Sequence, residues 1–148
     1  LEGPHVVYCD KVEPTGDSAP RAFRMRLDAH SCALGKAMLA YKSLEEIKEI
    51  YKSYSLHKHT TNTITSLDKL QIELRKIRTN GYSVNLAETF QYVYGIGAAI
   101  FDEQKRAIAA ISLSGTKSSI NVKTIPHLAK KVLTTSHEIS SKMLEDNS

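Results

Sequence analysis

The sequence has no tryptophan, only two cysteines, and no long apolar stretch. Cys9 and Cys32 are not part of a CxxC motif or a disulfide framework, which indicates a protein of a reducing compartment. No run of about 18 apolar residues predicts a membrane helix, and no leader or lipidation signal is recognisable. We therefore expect a soluble, cytoplasmic protein that has no membrane partner.

The 148 residues carry only a small excess of positive charge, with 20 Lys and Arg against 16 Asp and Glu. The basic residues are scattered, and the aromatic segment at residues 90–94 contains no Lys or Arg, which argues against direct contact with nucleic acid. A chain of this length fits one domain, residues 1–148, that buries about 70% of its surface. Because it begins at Leu1 without Met, we expect it to be part of a longer protein.

The hydrophobic pattern predicts an α+β fold, a mainly antiparallel sheet with helices packed on it. The cap signals are Ser31 before the first helix, a Ser43–Glu46 capping box before the second, and Gly81 after the third. A polar loop covers residues 53–65. The predicted strands cover residues 5–12, 23–27, 82–84, 95–101 and 107–115, and the predicted helices begin at 31, 43, 66 and 125, the last running to 144.

Two of the predicted strands carry very small residues at alternate positions. If Gly97 pairs with Ala110 or Ser112, one sheet face is lined by Gly95, Gly97, Ala99, Ala110, Ser112 and Ser114. This small face has too little side-chain volume to fill a core, so either a closely packed helix or a ligand must cover it. The two serines favour a ligand, because buried hydroxyls need hydrogen-bond partners. Whether the aromatic rings of Phe90, Tyr92 and Tyr94 line the pocket or pack at an edge stays open.

Two stretches of backbone are candidates for binding an anion, and the first of them does not fit the pattern that such a site requires. Gly95-Ile96-Gly97 lacks the third glycine and the following helix of a dinucleotide fingerprint. The first turn of the helix after Ser31 presents the free amides of Cys32, Ala33 and Leu34, which favour an anion unless Ser31 and water satisfy them.

Three separated stretches, HSCALGKAMLA, TITSLDKLQIELRKIRTNGYSV and GIGAAIFDEQKRAIAAISLSG, occur in an order and at separations that resemble the effector-binding domain of IclR-type bacterial transcription regulators. The resemblance covers nearly the whole chain from His5 onward. It implies a GAF-like fold, a small organic effector, a homodimer or homotetramer, and contact with DNA only through an N-terminal winged helix-turn-helix domain that these 148 residues lack.

The same resemblance, together with the small face, implies an effector site. An anionic oxygen group would dock on the amides of Ala33 and Leu34, and Leu27 and Leu34 would enclose the remainder. Asn85 stands where members of the family often carry an acidic run, and Gly95 stands where a side chain can contact the effector, so room remains for a bulkier organic acid. The expected effector-binding residues are Leu27, Ala33, Leu34, Asn85, Gly95, Ser112 and Ser114.

Three alternatives remain. Cys32 is a candidate nucleophile beside His30, at a helix start that would lower its pKa, although no third orienting residue can be named. His57 and His59 share a face, but in a polar loop without a neighbouring acid we expect surface histidines and no metal site. The third alternative is a structural oligomerisation module in which the small face is collapsed and binds no ligand. We expect no catalytic residues and no cofactor.

Overall fold

The computed structural model describes residues 1–13 and 24–146, and it has the expected α+β architecture. A 3₁₀ turn, Ala29–Ser31, joins the strand Arg26–Asp28 to the helix Ala33–Leu39. The start of the second predicted strand, residue 23, lies outside the described residues. The elements in chain order are β1 (His5–Val7), β2 (Arg26–Asp28), α1 (Ala33–Leu39), α2 (Leu44–Ile50), α3 (Leu67–Asn80), β3 (Ser83–Leu86), β4 (Tyr94–Phe101), β5 (Ala107–Gly115) and α4 (Ile125–Asp146).

All strand pairs among the described residues are antiparallel. Strands β1 and β2 form a two-stranded sheet, and β3, β4 and β5 form a second sheet with β4 at its centre. Strand β1 is shorter than the stretch predicted at residues 5–12, although backbone hydrogen bonds continue its pairing through Tyr8, which bonds to Met25 and Arg24. The predicted β4–β5 hairpin is confirmed.

Local signals place most helix ends correctly. Ser43 Oγ accepts a hydrogen bond from the Glu46 amide at 3.2 Å, and the Glu46 carboxylate accepts one from the Ser43 amide at 2.7 Å, so the predicted capping box is confirmed. Helix α3 ends at Gly81, whose φ of 81° is left-handed and therefore suits glycine.

The predicted cap of α1 is wrong by one residue. Cys32 is the N-cap, and its Sγ accepts a hydrogen bond from the Gly35 amide at 3.4 Å. Ser31 lies in the 3₁₀ turn instead, where its hydroxyl donates to the Asp28 carbonyl oxygen at 3.1 Å and contacts the Thr89 hydroxyl at 2.8 Å. Contacts with Asp28 and Thr89 therefore take the hydroxyl away from the helix.

Two hydrophobic clusters lie on opposite sides of the three-stranded sheet. The first fills the space among α1, α2 and α3, and Leu39 and Leu70 are completely buried in it. The second joins one face of the sheet to α4 through Ile96, Ala98 and Val132. Helix α1 covers the other face of the sheet, which is the small face. The fold therefore places the small face and the first turn of α1 in contact.

Candidate ligand-binding site

The register of the hairpin places the small residues on one face, as predicted. Gly97 pairs with Ser112, and the neighbouring pairs on the same face are Gly95 with Ser114 and Ala99 with Ala110. Directly paired residues point to the same side of a sheet, so both serines lie on the face that α1 covers. Ser112 is half-buried and Ser114 is exposed. The small face is thus most open at the Ser114 end.

Helix α1 closes the middle of the small face. A methyl group at Gly97 would lie 2.8 Å from the Ala33 carbonyl oxygen, so backbone occupies this position. The Ser83 hydroxyl donates to the same oxygen at 2.6 Å and fixes the first turn of α1 on the sheet. Of the two alternatives given by the sequence, the closely packed helix is therefore correct at Gly97.

At the next pair on this face, Gly95 with Ser114, the contact between α1 and the sheet is less tight. Four of the predicted site residues meet there. Gly95 pairs with Ser114 on one side and with Asn85 of β3 on the other. A methyl group at Gly95 would lie 3.4 Å from the Ala33 Cβ and 3.8 Å from the Asn85 Cβ, which are ordinary contacts. Ala33, Asn85, Gly95 and Ser114 thus form one group, which we call the Gly95 group.

The polar atoms of this region have donor capacity left over. The Asn85 Oδ1 accepts a hydrogen bond from the Glu88 amide at 2.8 Å, which orients the side chain and leaves its NH₂ group as a donor. Within residues 1–13 and 24–146, neither the Ser112 nor the Ser114 hydroxyl forms a hydrogen bond with the protein. The site therefore offers up to three side-chain donors to a ligand.

The two predicted leucines lie on different elements. Leu34 follows Ala33 in the first turn of α1, and Leu27 lies in β2, paired with Val6. Both are half-buried and pack against the hydrophobic cluster around α1, α2 and α3. Their role in enclosing a ligand stays a prediction.

A buried lysine behind the site was not recognised as important from the sequence. Lys36 is completely buried, and its ammonium group donates to the Glu88 carboxylate and to the Val84 carbonyl oxygen, both at 2.7 Å. Glu73 lies 3.3 Å from the same ammonium group. Burial raises the pKa of Glu88, although Lys36 opposes this shift. The contacts tie α1 to β3 next to Asn85. A lysine on the helix face occupied by buried residues was the available signal.

Of the three aromatic residues, Tyr94 does not line the small face. Phe90 and Tyr92 are exposed, Tyr92 by 81%. Tyr94 is half-buried and packs in the cluster under α4, on the opposite side of the sheet. Of the two possibilities that the sequence leaves open, lining the pocket is therefore wrong for Tyr94, whose ring points away from the Gly95 group because it alternates with Gly95 along β4.

The sequence matches the family described as Bacterial transcriptional regulator IclR C-terminal over residues 1–141. The chain belongs to this family. It is 31% identical over 147 residues to the HTH-type transcriptional regulator KipR of Bacillus subtilis, covering 96% of this chain and 57% of KipR. The transcriptional repressor IclR of Escherichia coli is also 31% identical, over 115 residues that cover 78% of this chain and 42% of the repressor.

Solved structures of transcription regulators have the same fold. The structure of the Thermotoga maritima IclR is 36% identical and superimposes with a TM-score of 0.85, covering 96% of this chain and 58% of that one. The inducer-binding domain of PobR from Acinetobacter, solved as a double mutant in complex with 3-hydroxybenzoic acid, has a TM-score of 0.79 at 23% identity, covering 95% of this chain and 83% of that one. The chain spans about half the length of the curated relatives it matches.

The IclR family consists of transcription regulators and not of enzymes. The structure also removes the basis of the alternative in which Cys32 is a nucleophile. Burial raises the pKa of the Cys32 thiol to about 12, the opposite of the shift expected at a helix start. The thiol stays protonated, and its sulfur instead caps α1.

Two further expectations are affected by the structure. His57 and His59 do have a neighbouring acid, because Asp28 lies 3.5 Å from His57 Nδ1 and 2.9 Å from His59 Nε2. The reason for expecting isolated surface histidines is therefore wrong.

Among the helices of the described ranges, none combines the length and the apolar character that crossing a membrane requires.

Proposed function

We propose that this chain, residues 1–148, is the effector-binding domain of a longer regulator that reads DNA through a separate N-terminal domain. The effector is a small organic acid, and it controls operator binding by changing the oligomeric state or geometry. The match to the C-terminal part of IclR-type regulators, over about half of their length, supports this division of the protein.

The Gly95 group is the observation that carries the proposal. Its polar members, Asn85 and Ser114, flank a residue without a side chain, and the first turn of α1 lies directly over them. Hydrogen-bond donors around a space of this kind match the acceptor oxygens of a carboxylate. The PobR domain is a case in which this fold holds an organic acid. The missing side chain at Gly95 leaves room for a ligand larger than a two- or three-carbon acid.

Calorimetric titration with a panel of aliphatic and aromatic acids tests the proposal, using the double variant Ser112→Ala/Ser114→Ala. A hydrogen bond to a charged group contributes about 1.5 to 3 kcal/mol, so the double variant should bind at least about tenfold more weakly. The matched control is Ser141→Ala, since Ser141 is an exposed serine on α4. Equal affinity in the double variant and in the wild type would contradict the proposed site.

A structural module that binds no ligand is the second candidate, and the contact between Gly97 and the α1 backbone favours it. A ligand that binds only the folded state must raise stability. Thermal unfolding in the presence of the same acids separates the two candidates, because a structural module keeps one melting temperature throughout the panel.

A further inference from the structure

A second cluster of polar side chains lies at the end of β2 and has no residue in common with the Gly95 group. The carboxylate of Asp28 is buried, and within the described part of the chain no lysine or arginine pairs with it. It accepts hydrogen bonds from the Tyr54 hydroxyl at 2.8 Å and from His59 Nε2 at 2.9 Å. His5 Nε2 and His57 Nδ1 follow at 3.4 and 3.5 Å. Histidine rings thus surround a carboxylate on several sides.

His30 adds a buried nitrogen atom that has no partner. Its side chain is completely buried, and Nε2 lies 3.0 Å from the His57 carbonyl oxygen. A carbonyl oxygen only accepts hydrogen bonds, so Nε2 carries the hydrogen and Nδ1 keeps a free lone pair. Nδ1 is buried without a hydrogen-bond partner. Such atoms are rare in folded proteins because each one loses its hydration without compensation.

We propose that Asp28, His30 and His59 form a binding site for a divalent transition metal ion of the zinc type. One ligand atom from each residue lies within 4.8 Å of the other two. Ligands at zinc-type bond lengths of about 2.0 to 2.2 Å lie roughly 3 to 3.5 Å apart, so small rotations of the rings close the site. Two imidazoles and one carboxylate favour zinc, nickel or cobalt over calcium or magnesium, which prefer oxygen ligands.

The surroundings of the three ligands suit this role. The Tyr54 hydroxyl orients the Asp28 carboxylate and the His57 carbonyl group orients the His30 ring, as outer contacts do in metal sites. His59 is about one-third exposed, which gives an ion access from solvent.

Zinc titration of the full 148-residue chain tests the site. The background variant is Cys9→Ser, since Cys9 is an exposed thiol that could bind the ion by itself. We expect one zinc ion per chain, by calorimetry and by elemental analysis after dialysis. His59→Ala and Asp28→Asn should each weaken binding at least tenfold. Tyr54→Phe keeps all three ligands but removes an outer contact, and it should weaken binding about 10- to 100-fold.

The control is His127→Ala, which removes an exposed histidine on α4 and should leave the affinity unchanged. Cobalt gives a second readout, because its visible absorption band reports imidazole and carboxylate coordination. Circular dichroism shows whether each variant is folded. If Asp28→Asn does not fold, His59→Ala still tests the site, because the His59 side chain is accessible and its removal should leave the fold intact. Binding of less than one ion per chain, or equal binding by wild type and His59→Ala, would overturn the metal site. Neither result bears on the effector site, which shares none of these ligands.

Discussion

At the scale of single residues, the packing of α1 on the small face depends most on the absence of a side chain at Gly97. Gly97 faces the backbone of Ala33, and a methyl group added there would lie 2.8 Å from its carbonyl oxygen and 2.9 Å from its carbonyl carbon. Backbone atoms in the first turn of a helix cannot move aside as a flexible side chain can. A methyl group at Gly95, two residues earlier, would make contacts no shorter than 3.4 Å, the shortest of them with the Ala33 Cβ.

Gly97→Ala should therefore reduce the free energy of unfolding by about 1 to 3 kcal/mol, because the added methyl group overpacks the contact between α1 and the sheet. Urea denaturation measures this change. Gly95→Ala is the matched control, and it should change stability by less than about 1 kcal/mol while lowering the affinity for an acid that binds at the Gly95 group. Equal stability of the two variants would show that α1 does not lie as close to Gly97 as described.

The two cysteines give a second prediction at this scale. Cys9 is exposed, whereas Cys32 is buried and has its pKa raised to about 12 by burial. The thiolate is the reactive form, so iodoacetamide at neutral pH should modify Cys9 and leave Cys32 untouched in the folded chain. Mass spectrometry of the peptides measures both sites, and modification of both in urea is the control. Rapid native labelling of Cys32 would contradict its burial.

At the scale of elements, the sequence predicts a helix end correctly where the residues that form the cap are close together in the chain. The Ser43–Glu46 capping box and the stop at Gly81 involve neighbouring residues, and both predictions are confirmed. The prediction for Ser31 is wrong because Thr89, 58 residues away, takes its hydroxyl. The pairing of Gly97 with Ser112 is one of the two registers that the sequence allows, and both place the same residues on the small face.

The cluster around Asp28 could not be predicted for the same reason. His59 is 31 residues from Asp28, and no periodic pattern connects a short strand with an irregular loop. The three-dimensional path of the polar loop brings the groups together. Similarly, the place of Lys36 on the buried side of α1 is visible in the sequence, but its partner Glu88 lies 52 residues away.

The contact between α1 and β3 should depend strongly on that ion pair. Lys36→Met leaves the Glu88 carboxylate buried without its cation, and removing one partner of a buried pair costs about 3 to 5 kcal/mol. In Lys36→Met/Glu88→Leu no charge of the pair remains buried, so this double variant should be more stable than Lys36→Met alone. Chemical denaturation of both variants measures the difference.

The exposed pair Lys42–Glu46 on α2 is the control for this experiment, since its partners are 33% and 53% exposed. Removing Lys42 should cost less than about 1 kcal/mol, because solvent screens an exposed pair. A Lys36→Met variant as stable as Lys42→Met would show that the buried pair does not hold α1 on the sheet.

At the scale of the whole molecule, the three-stranded sheet has an edge that suits association with another copy. Strand β5 pairs only with β4 among the described residues, and Ile108 and Leu113 on it are 42% and 41% exposed. Unpaired strand edges with exposed apolar side chains favour contact with other chains. A regulator that responds to a ligand also needs two states that bind it with different affinity, and a change of assembly is one such pair of states.

We therefore expect the chain to form homodimers or homotetramers, and Leu113→Lys to weaken them, because the variant places a charge on the apolar edge. Light scattering over a range of concentrations measures the assembly. Ile72→Lys is the control, since Ile72 is 47% exposed but lies on α3. If an organic acid is coupled to assembly, it should shift the association constant by about 5- to 150-fold, the range for a coupling of about 1 to 3 kcal/mol. A ligand shifts the equilibrium between monomer and oligomer only if it binds the two with different affinity. If the chain is a monomer at every concentration, with and without the acid, control through assembly of this domain is ruled out.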